Sequence, residues 1–297
     1  FSDRELERLL PFLFCGFCLN VIAGLVQLSS PQLPDTLDVL PYIPSIGLMA
    51  NENHASSLAY IMLPLLAFRY VVRDDRVWIY VGLSVAIVLY LFAVGSLAGM
   101  AISSAVAVLS LVWFKTERLT IVPRTSLFAA GLCALLLIPV LVGFDDSSAT
   151  EMRPVIFATT WKAIQSYWLT GTGLGAFSHV YPSFEAPDDI LPVYINRAHN
   201  DYLEIFLEVG VLGIVLIGAF FALVILNFRR NRLAQAAALS ILTLAIHSLV
   251  DYPLRTMAIG VIFAYFVAVV LSVRPNRDEY AGEPIKRRRR RPESQTS

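Results

Sequence analysis

The run VWIYVGLSVAIVLYLFAV, residues 77–94, contains no charged side chain and is hydrophobic at nearly every position. A second run, VLGIVLIGAFFALVIL at 211–226, has the same character. A helix of about 20 apolar residues crosses the hydrocarbon core of a bilayer, which is about 30 Å thick. These two stretches therefore predict transmembrane helices rather than helices of a soluble domain.

The composition of the whole chain supports the same fold class. Hydrophobic residues make up 57% of the 297 residues and charged residues only 15%, with a mean hydropathy of +0.65, whereas soluble domains carry roughly 25% charged residues. We predict an all-α, polytopic transmembrane helical bundle with about eight spans in this chain. The predicted spans are 9–28, 54–72, 77–95, 97–114, 126–143, 203–226, 234–250 and 256–273.

The spans fall into two groups around one long loop. Five predicted spans occupy residues 1–143, a large loop occupies 144–200, three spans occupy 201–273, and a basic tail follows at 274–297. Residue 1 is Phe rather than Met and no signal peptide precedes the first span. We therefore expect the chain to be truncated upstream.

The distribution of basic residues predicts the orientation. With the tail in the cytoplasm, the outer side holds only four of the 23 basic residues, namely Arg153, Lys162, Arg197 and Arg255. Cytoplasmic loops carry the excess of Lys and Arg, so the inverted orientation is excluded. The RRRRR run at 287–291 is interpreted as a solvated tail that contacts anionic lipid, not as a nucleic-acid site.

The large loop is predicted to contain an amphipathic helix. Its hydrophobic residues Phe157, Trp161, Ile164 and Trp168 recur at helical spacing, and two tryptophans suit the headgroup level of a membrane. The glycine-rich stretch GTGLG follows at 171–175. It is interpreted either as a turn between helix and loop or as a nest of N–H groups for a phosphate.

The stretch RAHNDYLEIFLEVG, residues 197–210, holds most of the candidate chemistry. Ionisable groups at a membrane are costly and are functional candidates by default. His199 is suited to proton transfer near neutral pH, and Arg197 and Arg255 suit the bidentate binding of phosphate. His54, His179 and His247 are predicted on the same outer side.

Structural interpretations of the same residues remain open. Asp201 and Glu204 have the spacing of a helix N-cap with its reciprocal residue at N3. Glu208 lies on the same stripe and needs a basic or hydroxyl partner, and His247 suits a polar contact between helices. A metal site is a rival interpretation of the cluster, but no H-E-x-x-H spacing occurs in the sequence.

Several motifs together resemble the O-antigen ligase and polymerase family of bacterial envelope glycan enzymes, over about residues 50–255. The motifs are ANENHAS at 50–56, Arg153 with Trp161 and GTGLGAF at 171–177, RAHNDYLEIFLEVGVLG at 197–213, and HSLVDYPLR at 247–255. One stretch departs from the family, which commonly has Ser-Arg-Gly where this chain reads GSLAG at 95–99.

The resemblance implies transfer of a glycan from an undecaprenyl-diphosphate carrier to an acceptor hydroxyl at the periplasmic face of the inner membrane, without cofactor or metal. It implies that His199 is the catalytic base and that Arg153, Arg197 and Arg255 bind the diphosphate. The supporting residues would be Asn200, Asp201, Glu204, Glu208, His247 and Asp251. The expected partners are the lipid-linked glycan, a glycan or lipid acceptor and membrane lipids.

Two other functions remain open at this point. A transporter or flippase of lipid-linked glycan would have charges or helix breaks near the midplane of several spans, whereas here the charges concentrate at one side. A non-catalytic binder of lipid-linked glycan is the other alternative, because the arginine expected within residues 95–99 is absent.

Overall fold

The computed structural model describes residues 3–29, 47–49, 51–115, 149–190, 194–228 and 231–272, and within these ranges the chain is helical with no β-strand. The helices are α1 (Asp3–Ser29), α2 (Glu52–Ala67), α3 (Val77–Ala93), α4 (Leu97–Lys115), α5 (Ala149–Tyr167), α6 (Phe177–Val180), α7 (Asp201–Val209), α8 (Val211–Asn227), α9 (Arg232–His247) and α10 (Met257–Ser272). A π-helical turn at Phe68–Arg73 extends α2, and 3₁₀ turns cover Tyr181–Phe184, Pro187–Asp189 and Pro253–Arg255.

Among the residues that the structure describes, three helical stretches are long and apolar enough to cross a membrane. They are Glu7–Ser29, Glu52–Arg73 and Ala98–Lys115. The helices α3, α8, α9 and α10 are also apolar but shorter, with 16 or 17 residues each. The all-α transmembrane bundle predicted from the sequence is confirmed. The predicted span at 126–143 and the tail at 274–297 lie outside the described residues.

The centre of the bundle is formed by α2 and α9. Most residues in the apolar part of the stretch Glu52–Arg73 are buried, and α9 presents the small residues of its AQAAALS stretch at 234–240 to its neighbours. Small residues let helix backbones approach closely inside a membrane. Ser240 accordingly donates a hydrogen bond to the backbone carbonyl of Ile61 at 2.8 Å. At position 99 of α4, any side chain larger than that of glycine would collide with the Ser56 hydroxyl.

The outer helices expose apolar side chains instead of burying them. On α8, large hydrophobic residues such as Val215, Ile225 and Leu226 are more than half exposed, and α3 exposes Trp78 and Phe92 in the same way. Lipid tails are as apolar as these side chains, so such surfaces suit contact with a bilayer.

The two ends of the bundle are distinguished by their polar contacts. At one end, Trp113 of α4 donates to Gln235 of α9, and Lys115 pairs with Asp75. The starts of α2, α4 and α7 and the end of α9 lie at the other end, where Ser56 contacts Ser96 and Ser248 contacts residue 201. This second end is called the site end below.

The predicted span 203–226 is not one helix. It is interrupted at Gly210, which has φ 67° and ψ −154°, a left-handed backbone that favours glycine. A side chain there would meet the carbonyl oxygen of Leu169 at 2.6 Å and the backbone nitrogen of Gly171 at 2.7 Å. The break therefore separates the charged α7 from the apolar α8. Glu208 lies on α7, so the prediction that it lies inside a transmembrane helix is wrong.

The glycine-rich stretch at 171–175 packs into this interruption. Thr172 N–H donates to the carbonyl of Leu207 at 3.0 Å, Gly173 N–H donates to the carbonyl of Glu208 at 2.9 Å, and Val211 N–H donates to Trp168 at 2.8 Å. Because these N–H groups already bind protein acceptors, the turn interpretation of this stretch is supported over the phosphate nest.

The helix predicted in the large loop is present as α5. Of the hydrophobic residues at helical spacing, Ile164 is buried in the protein, whereas Trp161 and Trp168 are about half exposed, at 48% and 52%, and so leave apolar surface free for the headgroup level that was predicted for them. The inward face is formed by Ile156 and Ala163, which pack in a second hydrophobic core with residues from α6, α7 and the segment before α7. The loop thus folds over the site end.

Candidate functional site

Two groups of polar side chains meet at the site end, where charged groups in an apolar protein are functional candidates. The first, called the histidine cluster, consists of His54, His199, His247, Asp251 and Tyr252. The second, called the carboxylate cluster, consists of Arg197, Asp201, Glu204, Glu208 and Arg255. Residues that are far apart in the sequence are thus neighbours in the fold.

The start of α7 differs from the prediction, because Asn200 and not Asp201 is the N-cap. The Asn200 side-chain oxygen accepts hydrogen bonds from the backbone N–H groups of residues 202–203, at 3.0 Å each, which is the geometry of a cap. Its amide nitrogen donates to the carbonyl of Leu249 at 2.8 Å. The predicted capping box of Asp201 and Glu204 is therefore wrong, and both carboxylates make other contacts.

Glu204 organises the segment that leads to His199. It is fully buried, and its carboxylate accepts hydrogen bonds from Ala198 N–H at 3.0 Å and from Arg197 Nη1 at 2.9 Å. Both donors precede His199 directly in the chain. The Arg197 side chain keeps 35% of its surface exposed, so its guanidinium remains accessible despite this ion pair.

Arg255 sits among three buried carboxylates. Its Nη2 donates to Glu208 Oε2 at 2.9 Å, and its Nε lies 3.5 Å from Glu204 Oε1 and 3.8 Å from Asp201 Oδ1. Glu208 also accepts a hydrogen bond from Gly175 N–H at 2.9 Å. Of the two kinds of partner predicted for Glu208, a basic or a hydroxyl group, the structure shows the basic one. The Gly175 hydrogen bond joins the glycine-rich turn to the carboxylate cluster.

Asp201 is the least compensated acid of the carboxylate cluster. Burial raises the pKa of its carboxyl, and the hydrogen bonds from Ser248 and from Leu254 N–H together with the charge of Arg255 counteract this only in part, so the pKa is about 6. The Ser248 hydroxyl donates at 2.8 Å. Asp201 therefore titrates close to neutral pH, in contrast to an ordinary aspartate.

His199 adopts a strained backbone conformation next to Asp251. Its φ is 50°, which is uncommon for any residue other than glycine and marks functional sites when the surrounding structure enforces it. Its Nδ1 lies 3.7 Å from Asp251 Oδ1, and its ring contacts the Tyr252 ring edge-on at 4.9 Å between centroids. The imidazole is 29% exposed.

Asp251 carries a negative charge at neutral pH although it is buried. Burial raises its pKa, but His199, His247, the Tyr252 N–H and the Arg153 guanidinium outweigh this effect and lower the pKa to about 2. The Tyr252 N–H donates to Oδ1 at 2.9 Å. An ionised carboxylate beside an imidazole can orient its ring and stabilise its protonated form.

His247 occupies the last position of α9 and faces Asp251 from the side opposite His199. Its Nε2 lies 3.8 Å from Asp251 Oδ2, and its Nδ1 lies 2.6 Å from the Tyr60 hydroxyl and 3.2 Å from Ser57 Oγ. The predicted polar contact between helices is therefore present, and it joins α9 to α2.

His54 and the Tyr252 ring close the cluster toward α2. His54 Nδ1 is 3.1 Å from the Thr256 hydroxyl, and the His54 and Tyr252 rings meet edge-on at 5.4 Å between centroids. His179, by contrast, is exposed on α6, where its Nδ1 contacts the neighbouring Ser178 hydroxyl at 3.4 Å.

Arg153 of α5 contributes a further cation. Its Nε is buried without a hydrogen-bond partner, and its charge contributes to the lowered pKa of Asp251. Lys162, the other basic residue of α5, is exposed. Of the four cations predicted on the outer side, the structure thus places three at the two clusters.

An apolar cavity opens next to the carboxylate cluster. Its volume is about 370 Å³, and Asp201 and Ser248 are among the residues that line it. The remaining lining is almost entirely hydrophobic and comes from α7 to α10, including Ile205, Leu216, Phe220 and Phe263. Asp201 therefore separates an apolar space from the charged groups of the site end.

The sequence interpretation missed several residues that complete the site, namely Ser57, Tyr60, Ser248, Tyr252 and Thr256. One signal was available, because His54, Ser57 and Tyr60 recur every third residue in an apolar span and so share one helix face. Within the ranges that the structure describes, no group of three or more His, Cys, Asp and Glu side chains is arranged to hold a metal ion.

The fold and the site together define a class: a multi-pass helical membrane protein with a charged and histidine-containing site at one end of its bundle. The family model described as O-antigen ligase matches residues 43–218, more than half of the chain. The chain belongs to the O-antigen ligase family. Membership implies a membrane enzyme that transfers glycans, of the O-antigen ligase or polymerase type, acting on lipid-linked glycans.

The matched segment includes Arg153, Arg197 and His199, and it ends within α8. Asp251 and Arg255 lie beyond it in the sequence and are brought to it by the fold. No curated protein and no solved structure matches the chain.

Proposed function

We propose that this protein transfers a glycan from an undecaprenyl-diphosphate carrier to an acceptor hydroxyl at the periplasmic face of the inner membrane. The observation that carries the proposal is the strained and partly exposed His199 beside the ionised Asp251, at the site end, where Arg153 and Arg197 also lie. The family membership supplies the class of reaction.

The proposed reaction needs one proton acceptor. The acceptor hydroxyl oxygen forms a bond to the anomeric carbon of the donor glycan, while the bond from that carbon to the diphosphate oxygen breaks. The hydroxyl proton passes to His199, and the lipid diphosphate leaves with the bonding electron pair. Asp251 stabilises the resulting imidazolium, because a carboxylate beside the imidazole favours its charged form.

The proposed reaction also needs positive charge where the diphosphate accumulates negative charge. Arg153 and Arg197 are the candidates, since Arg153 Nε has no protein partner and Arg197 is one-third exposed. Arg255 is placed differently, because it already contacts three carboxylates. We therefore assign Arg255 to holding α7 in place, where the family resemblance alone assigned it to the diphosphate.

The apolar cavity between α7 and α10 suits the lipid part of the donor. Its volume of about 370 Å³ and its hydrophobic lining fit several isoprene units, and its lining includes Asp201 of the carboxylate cluster. A carrier whose lipid chain lies in this cavity would present its diphosphate to the site end. The same site would then bind both the lipid chain and the reacting group of the donor.

Glycan analysis of a deletion strain tests the proposal. Complementation with His199→Ala should abolish the polymer or ligated glycan and leave its lipid-linked precursor accumulated, with normal protein levels in the membrane. His179→Ala is the matched control, because this histidine is exposed on the same loop. Unchanged glycan in the His199→Ala strain would reject the base assignment and favour the non-catalytic binder.

The proposed orientation has a separate test. In a variant without the three native cysteines, a cysteine replacing the exposed Ser183 should react with an impermeant thiol reagent added to intact spheroplasts. A cysteine replacing Lys115, which lies at the opposite end of the bundle, should react only after the membrane is opened. The reverse pattern would place the site in the cytoplasm.

A further inference from the structure

His247 contacts groups on both sides of its ring, and the proposed reaction does not use it. One ring nitrogen faces the Asp251 carboxylate at 3.8 Å, and the other faces Tyr60 and Ser57 of α2 at 2.6 and 3.2 Å. The side chain is buried, and the Tyr60 ring packs edge-on against it at 5.7 Å between centroids. Such a ring has little freedom to turn.

We propose that His247, held by Tyr60 and Ser57, is a positioning residue that fixes the Asp251 carboxylate toward His199. The inference rests on the proposed role of His199 as the base. It adds a chain of contacts that runs from the middle of the bundle to the site, in the order Tyr60, His247, Asp251 and His199.

The hydrogen-bond partners of His247 determine which of its nitrogens carries the proton. In a neutral imidazole one nitrogen donates and the other accepts, and a proton is favoured on the nitrogen that faces a carboxylate. Nε2 faces Asp251, so Nδ1 is the acceptor. The Tyr60 hydroxyl lies 2.6 Å from Nδ1 and 2.8 Å from Ser57 Oγ and shares its proton between these two acceptors. Ser57 supplies no proton to Nδ1, since its own hydroxyl donates to the carbonyl of Asn53 at 2.8 Å.

The consequence for Asp251 is that its two oxygens serve different partners. Oδ2 faces His247 Nε2, which leaves Oδ1 to face His199 Nδ1 at 3.7 Å and to accept the Tyr252 N–H at 2.9 Å. Partners beyond the first contact are known to fix the tautomer and orientation of a functional imidazole. Loss of the Tyr60 hydroxyl would therefore reach His199 through two intermediate residues.

The titration of His199 is the readout of this chain of contacts. The titratable groups around His199 are Asp251 and Tyr252 after α9 and His54 on α2. The charges of Arg153 on α5 and Arg197 in the loop act on Tyr252, and that of Arg153 acts also on Asp251. Tyr60→Phe alters none of these residues directly. Its shortest connection to His199 runs through His247 and Asp251, and the tautomer of His247 shows whether a change in the titration of His199 follows this route.

The experiment is ¹⁵N NMR of histidine-labelled full-length protein in lipid nanodiscs, which is feasible because the chain contains four histidines. Tyr60→Phe is compared with Tyr80→Phe, because Tyr80 is equally buried and donates to the carbonyl of Ala107 at 2.9 Å on other helices. We expect wild-type His247 to carry its proton on Nε2. In Tyr60→Phe, both this tautomer and the His199 titration should change, whereas Tyr80→Phe should resemble the wild type.

Transfer activity and a second pair of variants complete the test. Tyr60→Phe should lower kcat about 10-fold with little change in KM, as expected for a residue that orients a functional group. His247→Gln places an amide N–H near the position of Nε2 and should retain more activity than His247→Asn, which does not reach Asp251. Equal loss in both variants would assign His247 a packing role and overturn the proposal.

The outcomes separate this proposal from the proposed function. A His199 titration that is the same in Tyr60→Phe and Tyr80→Phe overturns the positioning role, whatever the activity shows. A changed titration together with unimpaired transfer by His199→Ala would retain the chain of contacts and reject His199 as the base.

Discussion

The two polar clusters at the site end are neighbours, but they differ in how completely their atoms are paired. In the carboxylate cluster, Glu204 and Glu208 each bind an arginine and a backbone N–H at 2.9–3.0 Å. In the histidine cluster and the adjoining Arg153, several buried polar atoms have no hydrogen-bond partner, namely His54 Nε2, Arg153 Nε, His199 Nδ1 and Asp251 Oδ2.

This difference distinguishes the cluster that stabilises the fold from the cluster that is the candidate for the chemistry. Buried polar groups are normally paired, so a paired cluster stabilises a fold and needs no ligand, whereas unpaired groups call for a functional explanation. Asp201 is intermediate, because Oδ2 accepts from Ser248 while Oδ1 has only the distant Arg255 Nε at 3.8 Å. The carboxylate cluster holds the backbone on which His199 sits, and the histidine cluster performs the proposed reaction.

The largest effect is expected from a substitution that removes the cation of the carboxylate cluster. Arg255→Gln removes the cation from three buried carboxylates, and loss of one partner from such a group costs about 3–5 kcal/mol. Thermal unfolding of the detergent-solubilised protein measures the loss. Arg69→Gln is the control, because its ion pair with Asp74 is half exposed and should contribute at most about 1 kcal/mol. Equal stability of the two variants would contradict the structural role of Arg255.

The next effect is expected from the histidine cluster and concerns activity more than stability. Asp251→Asn keeps the shape of the side chain but removes its charge, so transfer should fall about 100-fold, or about 2.7 kcal/mol of barrier. The melting temperature should also fall, because the lowered pKa of Asp251 means that its ionised form stabilises the fold. Asp188→Asn, an exposed acid of the same loop, serves as the control. Wild-type activity in Asp251→Asn would show that His199 acts without its carboxylate.

A smaller effect distinguishes the two candidate phosphate ligands. Arg153→Lys should raise KM for the lipid-linked donor about 10-fold, since Lys lacks the planar fork that binds phosphate bidentately. Arg197→Lys should have a weaker effect, because Arg197 Nη1 is already bound to Glu204. Steady-state kinetics with purified lipid-linked glycan measures both. A stronger effect at Arg197 would reverse the assignment.

The smallest effect is a pH dependence of stability at Asp201. Its pKa is raised by burial from 3.8 to about 6, so the folded protein binds more protons than the unfolded chain between these values. The stability from this group is complete below pH 3.8 and is lost as the pH rises through 6, by about 1 kcal/mol between pH 5 and pH 7. Asp201→Asn should flatten this part of the melting-temperature profile, and an unchanged profile would assign the dependence to another group.

The sequence predicted the fold class and most of the site because both rest on local signals. Apolar runs such as 77–94 identify spans directly, and RAHNDYLEIFLEVG places His199, Glu204 and Glu208 within one short stretch. The contact between His199 and Asp251 was less predictable, since a separation of 52 positions in the sequence carries no information about their distance in the fold.

The errors in the prediction have physical causes. The interruption at Gly210 was missed because glycine is common within transmembrane helices, and only its left-handed φ and the contact with Gly171 reveal a break. The cap at Asn200 was assigned one residue too late because Asp201 is an equally good capping residue.

The interruption at Gly210 also matters for how the protein enters a membrane during synthesis. A continuous helix over 203–226 would carry Glu204 and Glu208 into the bilayer near its start, where ionisable groups are costly unless they are paired. With the break, the segment offered to the insertion machinery is Val211–Asn227, which contains no charge. The acidic helix can then remain outside the lipid until Arg255 arrives with the last hairpin, so the charged site is assembled after insertion.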